Sequence, residues 1–185
     1  MKNNLSSTSA SPRIWTVGHS THSAEEFNGI LLAHNIEVLV DVRSFPGSRR
    51  YPQFNKEQLS SALPLVGIEY LHLRKLGGRR RARKDSINTA WRNESFRGYA
   101  DYMQSTEFRE GIEELLETSR KKSTTIMCAE SLWWRCHRSL IADFLKAHEV
   151  EVIHILDAKK TELHPYTTAA RIVDGRLSYE GLLGG

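Results

Sequence analysis

"STTIMCAESLWWRCHRSLIADFLKAHEVEVIHIL", residues 123–156, is the stretch on which the fold turns. It opens on a short apolar run, 123–128, that reads as a strand. A loop crowded with reactive and bulky side chains follows, and then "HRSLIADFLKAHE", 137–149, with the spacing of an amphipathic helix. "VEVIHIL", 150–156, is again strand-like. Strands with nearly continuous apolar sequence, joined through a helix, predict a parallel sheet covered on both faces.

The same alternation runs outward from this unit. "RIWTV" (13–17), "EVLVDV" (37–42) and "IEYLHL" (68–73) read as strands. "SAEEFNGILLAHN" (23–35) opens with a Ser cap and an acidic pair, and places Phe27, Ile30, Leu31, Ala33 and His34 at helical spacing. "NKEQLSSALPLVG" (55–67) reads as a helix with an Asn cap, disturbed at Pro64, and 96–121 as further helix. "ARIVDGRLSYE" near the end predicts a hairpin turning at Asp174-Gly175. The expected fold is therefore α/β: an open, largely parallel five-stranded sheet with helices on both faces and a small C-terminal hairpin. With 185 residues the chain is expected to form one domain over 13–185. The polar, small-residue stretch 1–12 is expected to be a disordered leader.

Composition removes several classes of function. The apolar runs are far too short to cross a membrane, and no signal-like apolar segment follows the start. Two cysteines without such a segment point to reduced thiols and a cytoplasmic location. Net charge is +4, but its distribution is uneven: residues 41–97 hold 13 Lys+Arg against 5 Asp+Glu, half of the chain's 26 basic residues. Such a field attracts phosphate-bearing ligands, DNA or RNA among them, and a solvated basic surface is the alternative.

The unusual residues fall at four corresponding places. "GHST" follows the first strand, "DVRSFPGSRRYPQF" the second, "RKLGGRRRARK" the third and "CAESLWWRCHR" the fourth. All are carboxyl ends of strands, the edge at which open α/β sheets bind ligands. With "FRGYADYM", the segments "TVGHS", "DVRSFPGS", "YLHLRKLGG" and "MCAESLWWRCHRSLIA" resemble, in this order and across about 14–155, a bacterial family known as a domain of unknown function, number 488. That resemblance implies an α/β fold and a shared site, and no particular activity.

The chemistry follows from the residues. Cys136-His137-Arg138 starts a helix, where free N–H groups and the helix dipole favour an anion. Arg135 and Arg138 add charge-assisted donors. Cys128 or Cys136, with a lowered pKa there, could be a nucleophile. Against that, the C-x5-R spacing and the glycines of phosphatase loops are missing, and burial as structural thiols competes. A metal held by Cys128, Cys136 and His137, with His19, lacks the second close-spaced ligand pair usual for zinc, so neither metal nor cofactor is expected. Glu130, among arginines, could act as a base, together with His19. Asp41 and Arg43 could contact an anion or simply tie a strand end together. The basic stretch 74–97, with Arg79, Arg80 and Arg81, with Trp91 inside it and Tyr99 just beyond as stacking rings, suits a single strand or a flipped base. The leading expectation is an intracellular enzyme acting on a phosphate-bearing substrate, a nucleic acid or nucleotide. A cysteine-dependent phosphatase or sulfur-transfer enzyme and a non-enzymatic nucleic-acid-binding module are the alternatives.

Overall fold

The computed structural model describes residues 12–181. Residues 1–11, most of the expected leader, lie outside them. The strands β1 (Arg13–Gly18), β2 (Val38–Asp41), β3 (Glu69–His72), β4 (Thr124–Cys128) and β5 (Glu151–Ile155) form one parallel sheet in the order β3-β2-β4-β1-β5. A sixth strand, β6 (Thr161–Leu163), adds antiparallel to β5. The sheet thus has six strands where sequence counts five. "TEL" is too short to show a period, and as an edge strand it leaves Leu163 exposed, so no apolar pattern marks it. β7 (Arg171–Val173) and β8 (Arg176–Ser178) form the separate hairpin, with Asp174 and Gly175 both at positive φ, as a tight two-residue turn requires.

Alternate strand residues divide between two cores, as pleated backbone dictates. Val17, Leu39, Met127 and Ile155 pack with α1 (Ala24–Ala33) and α2 (Lys56–Ala62) through Phe27, Leu31 and Leu59. Ile14, Val38, Val40, Ile126 and Val152 face the other way. They meet α3 (Glu94–Tyr102), α4 (Thr106–Ser119) and α5 (Arg138–Ala147) through Tyr99, Phe108, Leu115, Leu140 and Leu145.

Helix ends follow local chemistry. Ser23 and Glu26 form a reciprocal capping box at α1. Asn55 precedes α2 but makes no side-chain cap; its Oδ1 instead accepts the Ser48 N–H at 2.5 Å and closes the loop after β2. Pro64 ends α2 and the chain continues as a 3-10 turn to Val66.

The long segment before α3 has no period, yet it is pinned. Asp101 of α3 accepts from the Arg83 N–H, the Ser86 hydroxyl and the Asn88 amide. Burial opposes ionisation of Asp101, but those donors hold its carboxyl below the usual range. Gly98 lets the segment cross the helix, since a Cβ there would lie 2.4 Å from the Arg80 carbonyl.

Candidate functional site

The carboxyl ends of β1, β2 and β4 surround a cleft of about 480 Å³. Its lining includes His19, Ser20, Arg43, Ser44, Ser48, Arg79, Cys128, Glu130 and His137. The loop after β4 crosses closely over the end of β1. Gly18 makes that crossing possible: a Cβ there would sit 1.9 Å from the Glu130 carbonyl oxygen.

One wall is a buried ion pair. Asp41 is fully buried and takes Arg43 in a two-point contact, Nε to Oδ1 at 2.9 Å and Nη2 to Oδ2 at 2.6 Å. The Tyr70 hydroxyl donates to the same carboxylate at 2.8 Å, and Arg43 Nη2 also reaches the Phe54 carbonyl. Arg43 Nη1 donates to His19 Nε2 at 3.3 Å, while His19 Nδ1 donates to the Ser20 carbonyl at 3.0 Å. Both His19 nitrogens are therefore engaged and the ring lies stacked on Phe54. Burial first, then the Arg43 charge, lowers its pKa from 6.5 to about 4, which keeps the imidazole neutral. Of the five N–H groups on Arg43, one on Nη1 is left for a ligand.

The floor is sulfur and imidazole. His137 Nε2 donates to the Val42 carbonyl at 2.9 Å, so in the neutral ring Nδ1 carries the lone pair. Nδ1 lies 3.9 Å from Cys128 Sγ and 3.6 Å from Cys136 Sγ. The Cys136 sulfur first, and burial second, push the Cys128 thiol well above its ordinary range. Burial resists ionisation of Cys136 as well, but the Cys128 hydrogen bond and the neighbouring His137 and Arg138 outweigh it and bring that thiol down. Glu130 stands exposed at the rim, and Arg79, with φ +58°, carries its guanidinium over the Phe45 ring.

Several residues singled out from sequence face elsewhere. Arg138 is 1% exposed and turned inward, donating to the Glu130 and Ser131 carbonyls and to Thr16 Oγ1. It holds the loop and does not line the cleft. The helix start offers little to an anion: the Arg138 N–H points at Cys136 Sγ, and the Ser139, Leu140 and Ile141 N–H groups go to the Cys136 and His137 carbonyls. Arg135 is exposed, outside the cleft lining. Trp91 packs on Phe96 and Tyr179 and gives its carbonyl to Arg97, while Tyr99 is buried with its hydroxyl on the Leu76 carbonyl. Neither is a free stacking surface. Arg80 lies over Tyr102, and Arg81 is exposed but not part of the cleft.

A polar chain behind the cleft was not foreseen from sequence. Thr16 Oγ1, which accepts Arg138 Nη1–H, pairs with His154 Nδ1 at 2.7 Å; His154 Nε2 pairs with His164 Nδ1 at 2.9 Å; His164 Nε2 meets Asp143 Oδ1 at 2.8 Å. Every donor can point the same way, from Arg138 to Asp143, with each histidine accepting at Nδ1 and donating from Nε2. Trp133 lies flat on His154, ring centroids 4.3 Å apart, and donates to Glu162. Asp143 within an apolar helix face and His154 within an apolar strand were the available signals.

Against known proteins, the family model described as "Domain of unknown function DUF488" matches residues 23–145. Neither the curated proteins nor the solved structures give a match. Among the described residues, no helix is long and apolar enough to cross a membrane.

Proposed function

The chain belongs to the DUF488 family, and from that premise we propose that it is an enzyme acting on a phosphate-bearing substrate, a nucleotide or nucleic acid, held in the cleft at the carboxyl edge of the sheet. The observation that carries this reading is the lining itself. Two arginines, several hydroxyls and a single exposed carboxylate meet there, with the rings of Phe45 and Tyr51 beside them.

In this reading Arg79 and the remaining N–H of Arg43 take the phosphate, assisted by the Ser44 and Ser48 hydroxyls. Glu130, at the rim and free to reach a bound substrate, serves as the acid–base group. Asp41 and His19 orient Arg43. Arg138 acts one step back by fixing the backbone from which Glu130 projects. The basic residues outside the cleft, including Arg80, Arg81 and Arg135, draw a polyanion toward it.

A thiol enzyme is the second reading, favoured by Cys128 Sγ lining the cleft beside the His137 lone pair. A melting-temperature screen of inorganic phosphate, nucleotides and oligonucleotides tests the first. Phosphate-bearing ligands should raise the melting temperature, and Arg79→Ala should weaken the shift, since a charge-assisted contact is worth about 1.5–3 kcal/mol. Glu130→Gln should retain the shift and abolish turnover. A screen in which no phosphate-bearing compound has an effect refutes the proposal.

A further inference from the structure

We infer that Cys128, Cys136 and His137 form a binding site for one divalent ion of the zinc class, with the fourth coordination position open to the cleft. The inference stands on the donor geometry alone and holds whatever substrate the cleft takes.

The three donor atoms lie within 4.8 Å of one another. In a tetrahedral zinc site, Zn–S near 2.3 Å and Zn–N near 2.0–2.1 Å put sulfur and nitrogen about 3.6 Å apart. Here His137 Nδ1 is 3.6 Å from Cys136 Sγ and 3.9 Å from Cys128 Sγ. Both sulfur-to-nitrogen separations are already close to the coordination value. Two thiolates and an imidazole are also the ligand set that selects zinc over harder cations.

One further feature fits a metal. Metal-bound imidazoles usually give their other N–H to an oxygen that fixes the ring, and the Val42 carbonyl accepts it here at 2.9 Å. Gly78 lets its backbone pass against the face of the same ring, since a Cβ there would lie 2.9 Å from Nδ1 and 3.2 Å from Cγ. A thiol–imidazole catalytic pair needs one sulfur, and the structure presents two to the same lone pair.

Three protein ligands with a vacancy describe a catalytic rather than a closed structural zinc site. Cys128 and His137 line the cleft, whereas Cys136 sits behind them, so the vacancy is aimed at the cleft. An ion there would take water or a substrate oxygen.

The test uses the full chain, reduced, freed of metal by chelation and shown by thiol titration to carry two free thiols. Co²⁺ alone is then added. The expected result is one Co²⁺ per chain, with a thiolate-to-cobalt charge-transfer band and the intense visible bands of four-coordinate cobalt, both abolished by Zn²⁺. His137→Gln, which can still donate to Val42 O, and Cys136→Ser should each weaken binding by more than the roughly 10–100-fold typical of outer-shell changes. Circular dichroism checks that each variant folds; if Cys136→Ser does not, His137→Gln carries the test. Absence of the charge-transfer band, an unchanged affinity in His137→Gln, or a Cys128–Cys136 disulfide persisting under reduction overturns the inference.

Discussion

Replacing Arg138 by Met separates a structural arginine from a ligand-binding one. The methionine keeps much of the aliphatic volume, so the change removes charge and hydrogen bonds more than packing. Three contacts go: those to the Glu130 carbonyl, the Ser131 carbonyl and Thr16 Oγ1. Asp143, wholly buried, loses the cation at the far end of its hydrogen-bonded chain. The Glu130 carbonyl and Thr16 Oγ1 each lose a hydrogen bond from a charged group, worth about 1.5–3 kcal/mol apiece, so the loss should be about 3–6 kcal/mol. For a domain of this size each kcal/mol moves the melting temperature by roughly 2–4 °C, so the midpoint should fall by about 6–24 °C. Urea titration of the wild type, Arg138→Met, Asp143→Asn and the double variant closes a thermodynamic cycle. Its coupling energy should be on the order of 1 kcal/mol, as for residues sharing one network. If Arg138→Met loses less than about 1 kcal/mol, and its only effect is weaker binding of phosphate-bearing ligands, the arginine faces the substrate and the inward assignment is wrong.

Burial first, and then the neighbouring His164 and Arg138, lower the His154 pKa from the ordinary 6.5 to about 2. The unfolded chain therefore takes up a proton below pH 6.5 that the folded chain refuses, and stability is complete above 6.5 and falls with pH below it. The slope this group adds is at most about 1.4 kcal/mol per pH unit. Denaturation of His154→Gln across pH 4.5–7.5 should lose that slope, and an unchanged profile would count against the buried neutral ring. Gly18→Ala should destabilise more than a typical surface change, because its Cβ meets the backbone of the 130–131 loop rather than a movable side chain; a melting temperature within a degree or so of wild type would contradict the crossing. If the protein binds polyanions through its basic face, log affinity for a single-stranded oligonucleotide should fall linearly with log salt. Arg79→Ala with Arg80→Ala and Arg81→Ala should then flatten the slope, and a slope indifferent to the triple change removes that face from the interface.

The parallel sheet could be read from residues 123–156 because its signal is periodic. Continuous apolar strands flank a helix whose buried side repeats every turn, and each element advertises itself without its neighbours. β6 and the Asn55 side chain escaped because neither carries a period: one is three residues on an edge, the other a polar group with several possible partners. The site shows the same division more sharply. Strand alternation placed His19, Arg43, Cys128 and Glu130 at one edge of the sheet, and there they meet. Within "MCAESLWWRCHR", however, the chain is irregular, and nothing in the order of residues tells which side chains turn in and which turn out. Trp133 and Arg138 turn inward to His154 and Thr16, while Cys128, Glu130 and His137 turn outward to the cleft. The sorting is done by buried partners far away in sequence. Thr16 accepts Arg138 from 122 positions away, and Val42 fixes the His137 ring from 95 positions away. A buried arginine and a buried aspartate each demand such a partner. Asp143 on an apolar helix face and His154 in an apolar strand therefore announce a polar network, although only the fold can say that it ends on the arginine beneath the cleft.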